Sequence, residues 1–431
     1  MKTKLLVLVI GIAAIVSCSP ARKIGQWARR DVINDSALRS AHVGISVYDP
    51  ATASFLYNYQ GDKYFVPASN TKLPGCYAAM KYLGDSLPGL RYEQRGNELY
   101  IAPTGDPTFL HPEFATQRVY DLLKSTDLKI NLSLLSWKDE RWGSGWSWND
   151  YSESYMPERS ALPVYGNVVR FSGNNGLQVV PSFFKKDVVI KDPASNSSTA
   201  VNVNRDIASN RFVIEGQVQG RPVETPYFTD NGQLAVELLT DTLHKQVYLV
   251  NEAMTPNRIM YSQPTDSMLK PMMHRSDNFF AEQSLMMVGQ KLLGEMNDAR
   301  IINRLLDTDL KDLPQKPHWV DGSGLSRYNL FTPQDMVTIL NKMRLEFGIE
   351  RMKEILPTGN EGTLTNYYKN ETGYVFAKTG TLSGVVAFSG YLFTKKNKLL
   401  IVSVLVNNHQ ASATAVRRAV EKFVEQLREK N

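Results

Sequence analysis

The sequence has little of what several enzyme classes depend on. Only two of its 431 residues are cysteines, and its six histidines include no His-Glu-x-x-His pattern. A disulfide framework and a zinc-protease site are therefore not indicated. It also has no Gly-x-Ser-x-Gly segment, which positions the nucleophile of Ser-His-Asp hydrolases. We expect chemistry that needs neither a metal nor a cofactor.

Strong charge and strong compositional bias are absent as well. The net charge is +6 and no block of Lys and Arg stands out. This favours a mild affinity for anionic envelope polymers and not nucleic-acid binding. An apolar content of 42% and a charged content of 21% describe a globular protein. We find no internal repeat, and the length beyond the N-terminal segment suggests two or three domains.

The N-terminus is typical of an export signal. A start with two lysines precedes an apolar run, Leu5–Val16, that is too short to span a bilayer. The run ends in Ile15-Val16-Ser17-Cys18, which resembles the lipobox of bacterial lipoproteins. We expect residues 1–17 to be removed and Cys18 to carry lipid, so that the protein is anchored in the cell envelope (periplasm). A plain secretory signal and an uncleaved anchor are the alternatives.

The chain is organised around Ser69 and Lys72. Residues three apart share one face of a helix, so the hydroxyl and the amine can lie within hydrogen-bond reach. An amine that accepts the serine proton activates a weak nucleophile. The same spacing recurs at Ser182-Phe183-Phe184-Lys185 and Ser267-Met268-Leu269-Lys270. The pair alone therefore does not identify a site.

Two later motifs distinguish Ser69 from these decoys. Ser276-Asp277-Asn278 opens an amphipathic helix, and Lys378-Thr379-Gly380-Thr381 begins a β-hairpin. Ser-x-x-Lys, Ser-Asp-Asn and Lys-Thr-Gly in this order are the motif set of penicillin-binding proteins and class A β-lactamases. The ordered set predicts an active-site serine at Ser69.

Strand-like and helix-like patterns suggest how the chain is divided. Paired strands are predicted at 42–48 and 54–59, two apolar strands near the C-terminus, and a closing helix. Helices lie between these ends, so one sheet is expected to combine both termini. Pro74 follows the Ser69 motif and predicts a kink in the helix there. We expect a signal segment at 1–17, a discontinuous catalytic domain at 18–89 and 226–431, and a mainly β insertion at 90–225.

Two segments invite a functional interpretation but favour a structural one. Gly105-Asp106-Pro107 is more often a tight turn than a metal site. The pair Trp146 and Trp148 more often packs a domain interface than binds sugar. Cys76, in an apolar stretch, is expected to be a small core residue.

The chain resembles the class C low-molecular-mass penicillin-binding proteins, the serine D-alanyl-D-alanine carboxypeptidase/endopeptidase family. The spacing from Lys72 to Ser276 is 276 − 72 = 204 residues, far more than a β-lactamase has there. The likeness also covers Gly105-Asp106-Pro107-Thr108, the Trp146/Trp148 segment with Ser160-Ala161-Leu162, Ala281-Glu282, the run Asp321-Gly322-Ser323-Gly324-Leu325-Ser326-Arg327, Gly362-Thr363-Leu364 and Ala377-Lys378-Thr379-Gly380-Thr381-Leu382.

The resemblance implies an α+β fold. It would be a penicillin-binding/β-lactamase-like transpeptidase domain, with an antiparallel sheet and helices, that carries the mainly β insertion. The implied nucleophile is Ser69 and its base Lys72. Ser276 with Lys378 would pass a proton to the departing D-alanine, while the backbone N–H groups of Ser69 and Thr381 would form the oxyanion hole.

The remaining site residues and partners follow from the same resemblance. Asn278 would hold the substrate amide, and Thr379, Gly380 and Thr381 would bind the substrate at its terminal carboxylate. Peptidoglycan peptides are the implied substrates and β-lactams the implied covalent inhibitors. Two alternatives stay open. One is a β-lactamase, and the other is a non-catalytic peptidoglycan-binding lipoprotein.

Overall fold

A computed structural model describes residues 20–173, 176–191 and 201–431. The expected signal segment and Cys18 lie outside these residues. The α-helices of the described part are α1 Pro20–Ala28, α2 Lys72–Tyr82, α3 Arg118–Ser125, α4 Gln233–Leu243, α5 Thr265–His274, α6 Asn278–Leu293, α7 Asp298–Asp307, α8 Pro333–Phe347, α9 Ile349–Ile355 and α10 Ala413–Lys430. None of these described helices is long and apolar enough to cross a bilayer.

The strands of the described part form four sheets. In chain order they are β1 His42–Asp49, β2 Ser54–Tyr59, β3 Ser86–Arg95, β4 Glu98–Pro103, β5 Lys129–Leu132, β6 Val168–Ser172, β7 Gln178–Val180, β8 Val188–Lys191, β9 Asn202–Arg205, β10 Phe212–Glu215, β11 Val223–Pro226, β12 Val247–Leu249, β13 Arg258–Pro264, β14 Val375–Leu382, β15 Val385–Phe393 and β16 Leu399–Asn407.

One antiparallel sheet joins the two ends of the chain, as the sequence predicts. Its order is β14-β15-β16-β1-β2, and β1 pairs with β16 from His42 opposite Asn407 to Tyr48 opposite Ile401. Strands β15 and β16 are apolar along almost their whole length because helices cover both faces of the sheet. Val416, Val420 and Phe423 of α10 pack on one face, and α8 packs on the other.

Helix α2 lies in the main core, where it packs against α6, α5 and α8. Residues Ala68–Thr71 form a 3₁₀ turn, and the α-helix begins only at Lys72. Pro74 therefore falls in the first helical turn, where its missing N–H costs little. The helix continues unbroken to Tyr82. The kink predicted at Pro74 is therefore not seen, and the change from 3₁₀ to α geometry lies earlier in the chain, between Ser69 and Lys72. Cys76 is fully buried in this core, as expected.

The middle of the chain has its own core and is rich in β-strands. A five-stranded sheet has the order β12-β5-β4-β3-β13, and two three-stranded sheets lie beside it. The strands β12 and β13 and the helix α4 come after residue 225, yet they complete this sheet and this core. A boundary at residue 225 would divide them from the strands with which they pair. We therefore propose that the insertion spans residues 86–264.

Candidate active site

Two serine–lysine pairs meet where α2, α6 and β14 converge. Lys72 Nζ lies 3.1 Å from Ser69 Oγ, and Lys378 Nζ lies 2.9 Å from Ser276 Oγ. Asn278, two residues after Ser276, accepts a hydrogen bond of 2.7 Å from Lys72 through its Oδ1. Both lysine side chains are fully buried. The structure thus brings together the motif residues that the sequence predicts as a site.

The position of Ser69 depends on a tight backbone arrangement. Ala68, just before it, has a positive φ of 47°, which is costly for a residue with a Cβ. A side chain on Gly380 would lie 2.9 Å from the Ser69 nitrogen, and one on Gly324 would lie 2.0 Å from the Ala68 oxygen. Glycine at both positions therefore lets two neighbouring segments approach Ser69 closely.

Lys72 is held by neutral acceptors and has carboxylates farther away. Its Nζ donates to the carbonyl oxygen of Ser323 at 2.6 Å, in addition to Asn278. Burial lowers the pKa of Lys72 to about 8, while the negative charges of Asp321, Glu282 and Asp277 oppose this shift. An appreciable fraction of Lys72 is then neutral near physiological pH, as a proton acceptor requires.

Ser276 lies at the start of α6 in a strained conformation. Its φ is 64°, and the Asp277 side chain caps the helix by accepting from the Phe280 N–H at 2.9 Å. Asn278 is then the first helical residue, and its Nδ2 donates to the carbonyl oxygen of Tyr155 at 2.8 Å. Tyr155 belongs to the insertion, so the insertion helps to orient Asn278.

Lys378 is the first residue of the Lys-Thr-Gly motif in β14. This strand is at the edge of the sheet that joins the two ends of the chain. Besides contacting Ser276, Lys378 Nζ donates to the Thr379 carbonyl oxygen at 2.7 Å. Burial, and then the charges of Lys72 and Arg417, hold the pKa of Lys378 well below its ordinary value. The side-chain amide of Asn70 donates to the Lys378 carbonyl oxygen at 2.9 Å. This contact links β14 to the segment that carries Ser69.

The two threonines of this strand have different partners. Thr379 Oγ1 donates to Thr363 Oγ1 at 2.7 Å, whereas Thr381 Oγ1 accepts from Arg417 Nη2 at 2.6 Å. Thr381 is exposed beside a cleft of about 740 Å³ that opens over Ser69. The edge of β14 leaves room there for a peptide to pair with the strand and present an amide to Ser69.

The loop that holds Lys72 is organised by a buried carboxylate. Asp321 accepts hydrogen bonds from the N–H groups of Gly324 and Ser326, at 2.8 and 2.7 Å, and from Asn329 Nδ2 at 2.7 Å. A fourth donor is Trp146 Nε1, at 2.9 Å. The loop carries the Ser323 carbonyl that accepts from Lys72.

The insertion meets this loop through Trp146, so the expected packing at a domain interface holds for that residue. It does not hold for Trp148, which is 70% exposed.

A second buried network supports the same loop from behind. Arg159 lies within ion-pair distance of Asp139, Asp298 and Glu282, at 2.9, 2.6 and 3.4 Å. Glu282 also accepts from the Ser323 N–H at 2.7 Å. Burial and the nearby charge of Asp321 raise the pKa of Glu282 to about 7. Sequence reasoning marks Ala281-Glu282 as family-like but assigns no role to this carboxylate.

The decoys and the Gly-Asp-Pro turn lie outside this cluster. Ser267 and Lys270 are both exposed on α5, and Ser182 and Lys185 are both exposed in the insertion. The buried Asp106 accepts from the Thr108 N–H at 2.9 Å, as in a tight Asx-type turn. In the described part of the chain, no group of three or more His, Cys, Asp or Glu side chains could hold a metal ion.

Comparison with known proteins identifies a family. The model of the D-Ala-D-Ala carboxypeptidase 3 (S13) family matches residues 29–427. A D-alanyl-D-alanine carboxypeptidase of Actinomadura sp. (strain R39) is 28% identical over 448 residues, which cover 90% of this chain and 82% of the relative. D-alanyl-D-alanine carboxypeptidase DacB of Haemophilus influenzae is 24% identical over 430 residues, 86% of each chain.

Solved structures show the same fold. The crystal structure of penicillin binding protein 4 (dacB) from Haemophilus influenzae matches this structure with a TM-score of 0.72 at 20% sequence identity. The match covers 94% of this chain and 98% of that one. Its complex with a β-lactam matches with a TM-score of 0.67. Bd3459, a predatory peptidoglycan endopeptidase from Bdellovibrio bacteriovorus, matches with a TM-score of 0.55 at 13% identity, covering 91% of this chain and 93% of that one. The α+β fold expected from the sequence is thereby confirmed.

Proposed function

The chain belongs to the D-Ala-D-Ala carboxypeptidase 3 (S13) family, and on that premise we propose that Ser69, Lys72, Ser276, Asn278 and Lys378 are its catalytic residues. It is a serine-type D-alanyl-D-alanine peptidase with carboxypeptidase activity. The observation that carries the assignment is the presence of two buried serine–lysine contacts, Ser69 with Lys72 at 3.1 Å and Ser276 with Lys378 at 2.9 Å. Asn278 accepts a hydrogen bond from the first of these lysines.

Acylation begins at the first pair. Neutral Lys72 accepts the Ser69 proton, and Ser69 Oγ attacks the carbonyl carbon of the penultimate D-alanine. The backbone N–H groups of Ser69 and Thr381 receive the oxyanion of the tetrahedral intermediate. Gly380, between the motif residues Thr379 and Thr381, allows the close approach of β14 that this oxyanion hole requires.

The second pair completes the cleavage. As the C–N bond breaks, Ser276, hydrogen-bonded to Lys378, donates its proton to the departing amine, and the proton that Lys72 took from Ser69 replaces it, so that Lys72 is neutral again. The products are free D-alanine and an ester on Ser69. Water then attacks the ester, with Lys72 again accepting a proton, and releases the shortened peptide. A β-lactam forms the same ester, but its opened ring keeps the departing amine tethered at the site.

The substrates are the stem peptides and cross-links of peptidoglycan. An endopeptidase reaction uses the same steps with a longer leaving group. The open cleft beside the edge of β14 supports this second activity, because a cross-linked peptide needs room on the leaving-group side. Mass analysis of the products from purified muropeptides separates the two activities. Release of D-alanine alone indicates a carboxypeptidase, and resolution of dimers indicates an endopeptidase.

Covalent labelling tests the nucleophile. Fluorescent penicillin should label the wild-type protein and Ser267→Ala, whose exposed serine has the same spacing to a lysine. It should not label Ser69→Ala. Labelling that survives Ser69→Ala would refute the assignment. A wild-type protein that is never acylated would favour a non-catalytic scaffold, whereas rapid release of the label would favour a β-lactamase.

We further propose that the protein is exported to the cell envelope and held at a membrane by lipid on Cys18. The support is the segment Ile15-Val16-Ser17-Cys18 after an apolar run. Cys18→Ala should leave the precursor unprocessed or release the protein from membranes. Mass spectrometry that finds an unmodified N-terminus at another cleavage site would contradict the anchor.

A further inference from the structure

Arg417 is a cation beside the active site that the mechanism above does not use. It lies in the first turns of α10, and its Nη2 donates to Thr381 Oγ1 at 2.6 Å. The guanidinium also packs against the Tyr367 ring, 5.8 Å from its centroid. Among the ion pairs of the described residues none includes Arg417, whereas the adjacent Arg418 pairs with Glu421. Its charge is therefore not neutralised by a neighbouring carboxylate.

The hydrogen bonds around Arg417 leave two donors for a ligand. Because Thr381 Oγ1 accepts from Arg417, the Thr381 hydroxyl proton remains free to donate. The hydroxyl of Thr379 is already directed to Thr363. A guanidinium carries five N–H donors and matches a carboxylate in a two-pronged geometry. The free Thr381 hydroxyl and the remaining Arg417 N–H groups together suit a carboxylate group.

The charge states of the nearby cations also favour Arg417 as the carboxylate-binding residue. Lys378 is also close, but burial and two neighbouring cations favour its neutral form. A guanidinium stays charged at any working pH. The guanidinium of Arg327 lines the cleft over Ser69, but it donates to the Ser383 carbonyl at 2.6 Å. Ser383 lies beyond Thr381, in the turn that follows β14. Arg417 is thus the permanent cation at Thr381.

We propose that Arg417 binds the α-carboxylate of the leaving-group residue and makes the enzyme selective for peptides that carry this carboxylate free. The inference rests on the proposed function, because it requires the substrate to lie along β14 at Thr381. Arg417 is then a specificity-determining residue, and bond cleavage itself still depends on the two serine–lysine pairs.

The test compares two substrates that differ only in this charge. One is Nα,Nε-diacetyl-L-lysyl-D-alanyl-D-alanine, and the other is its C-terminal amide. In Arg417→Gln, kcat/KM for the acid should fall roughly tenfold to a hundredfold, mainly through KM, because a charge-assisted hydrogen bond is lost. The value for the amide should stay unchanged. Arg417→Lys should restore part of the preference for the acid.

A matched control and a second readout complete the design. Arg418→Gln removes the neighbouring arginine, which is already paired with Glu421, and should leave the acid-to-amide ratio unchanged. Acylation by benzylpenicillin and by its methyl ester repeats the comparison without turnover. Arg417→Gln should slow the acid and not the ester.

The possible failures can be told apart. If Arg417→Gln lowers the rates for acid and amide equally, or if Arg418→Gln has the same effect on their ratio, the inference is wrong and the proposed function stands. If the wild-type protein cleaves neither substrate, or if Ser69→Ala still becomes acylated, the proposed function fails and the inference fails with it.

Discussion

The ionisation of Lys72 predicts how acylation depends on pH. With a pKa of about 8, the neutral fraction is roughly 1% at pH 6, one half at pH 8 and nine-tenths at pH 9. If neutral Lys72 accepts the Ser69 proton, the second-order rate of acylation by a fluorescent penicillin should rise about 50-fold from pH 6 to pH 8. From pH 8 to pH 9 it should rise only about twofold. A lysine with an ordinary pKa would give about a tenfold rise per pH unit throughout.

Substitution at the same position tests the role of Lys72 directly. Lys72→Arg keeps the positive charge, but the guanidinium cannot lose a proton and so cannot act as a base. The rate of acylation should therefore fall by roughly a thousandfold or more. Lys81 is a suitable control because it lies on the same helix and pairs with Asp309 at 2.8 Å near the surface. Lys81→Arg should keep the wild-type rate and pH profile. A Lys72→Arg protein that retains most of its acylation activity would show that Lys72 supplies charge and not a base.

Three further substitutions test how the site is supported. Gly380→Ala places a Cβ against the backbone at Ser69, so the acylation rate should fall roughly a hundredfold; an unchanged rate would contradict the close approach of β14. Glu282→Gln removes a charge that raises the pKa of Lys72, so the ascending limb of the pH profile should move to lower pH. A limb that stays in place would refute this coupling. Trp146→Phe removes a hydrogen bond to a buried carboxylate and should lower the free energy of unfolding by about 1–3 kcal/mol, measured by denaturant titration.

The proximity of the motif residues can be predicted from the sequence in part, because one of the contacts follows from local geometry. Ser69 and Lys72 are three residues apart at the start of a helix, so their contact follows from helical spacing alone. Ser276 and Lys378 are 102 residues apart. Their meeting follows from the motif order, which belongs to one kind of site, and not from any local rule.

The boundary of the insertion could not be predicted in the same way. The strand β12 pairs in parallel with β5, Val247 opposite Ile130, although more than a hundred residues separate them. The helical pattern of α4 does not show which hydrophobic core the helix packs into. In the structure, its leucines pack in the core of the insertion. Domain membership here depends on distant strand pairing, which composition and periodicity do not encode.

The position of Arg417 beside Thr381 could not be predicted from the sequence for a related reason. Its contact with Thr381 joins the closing helix to the edge strand across 36 residues, and no motif includes it. Nothing in the helical pattern distinguishes Arg417 from Arg418, yet only Arg418 has a carboxylate partner among the described residues. Tertiary packing distinguishes two neighbouring residues of identical chemistry.

The two buried lysines are chemically identical, and their surroundings separate their roles. Lys72 interacts electrostatically with Asp321, Glu282 and Asp277, whose negative charges offset part of the effect of burial on its pKa. Lys378 is near two cations, Lys72 and Arg417, whose charges lower its pKa further than burial alone does. The surroundings therefore oppose the positive charge of Lys378 more strongly than that of Lys72. The first pair keeps a pKa near working pH, as the base at Ser69 requires, while the second pair gains a proton most readily when an anionic group lies against Arg417 and Thr381.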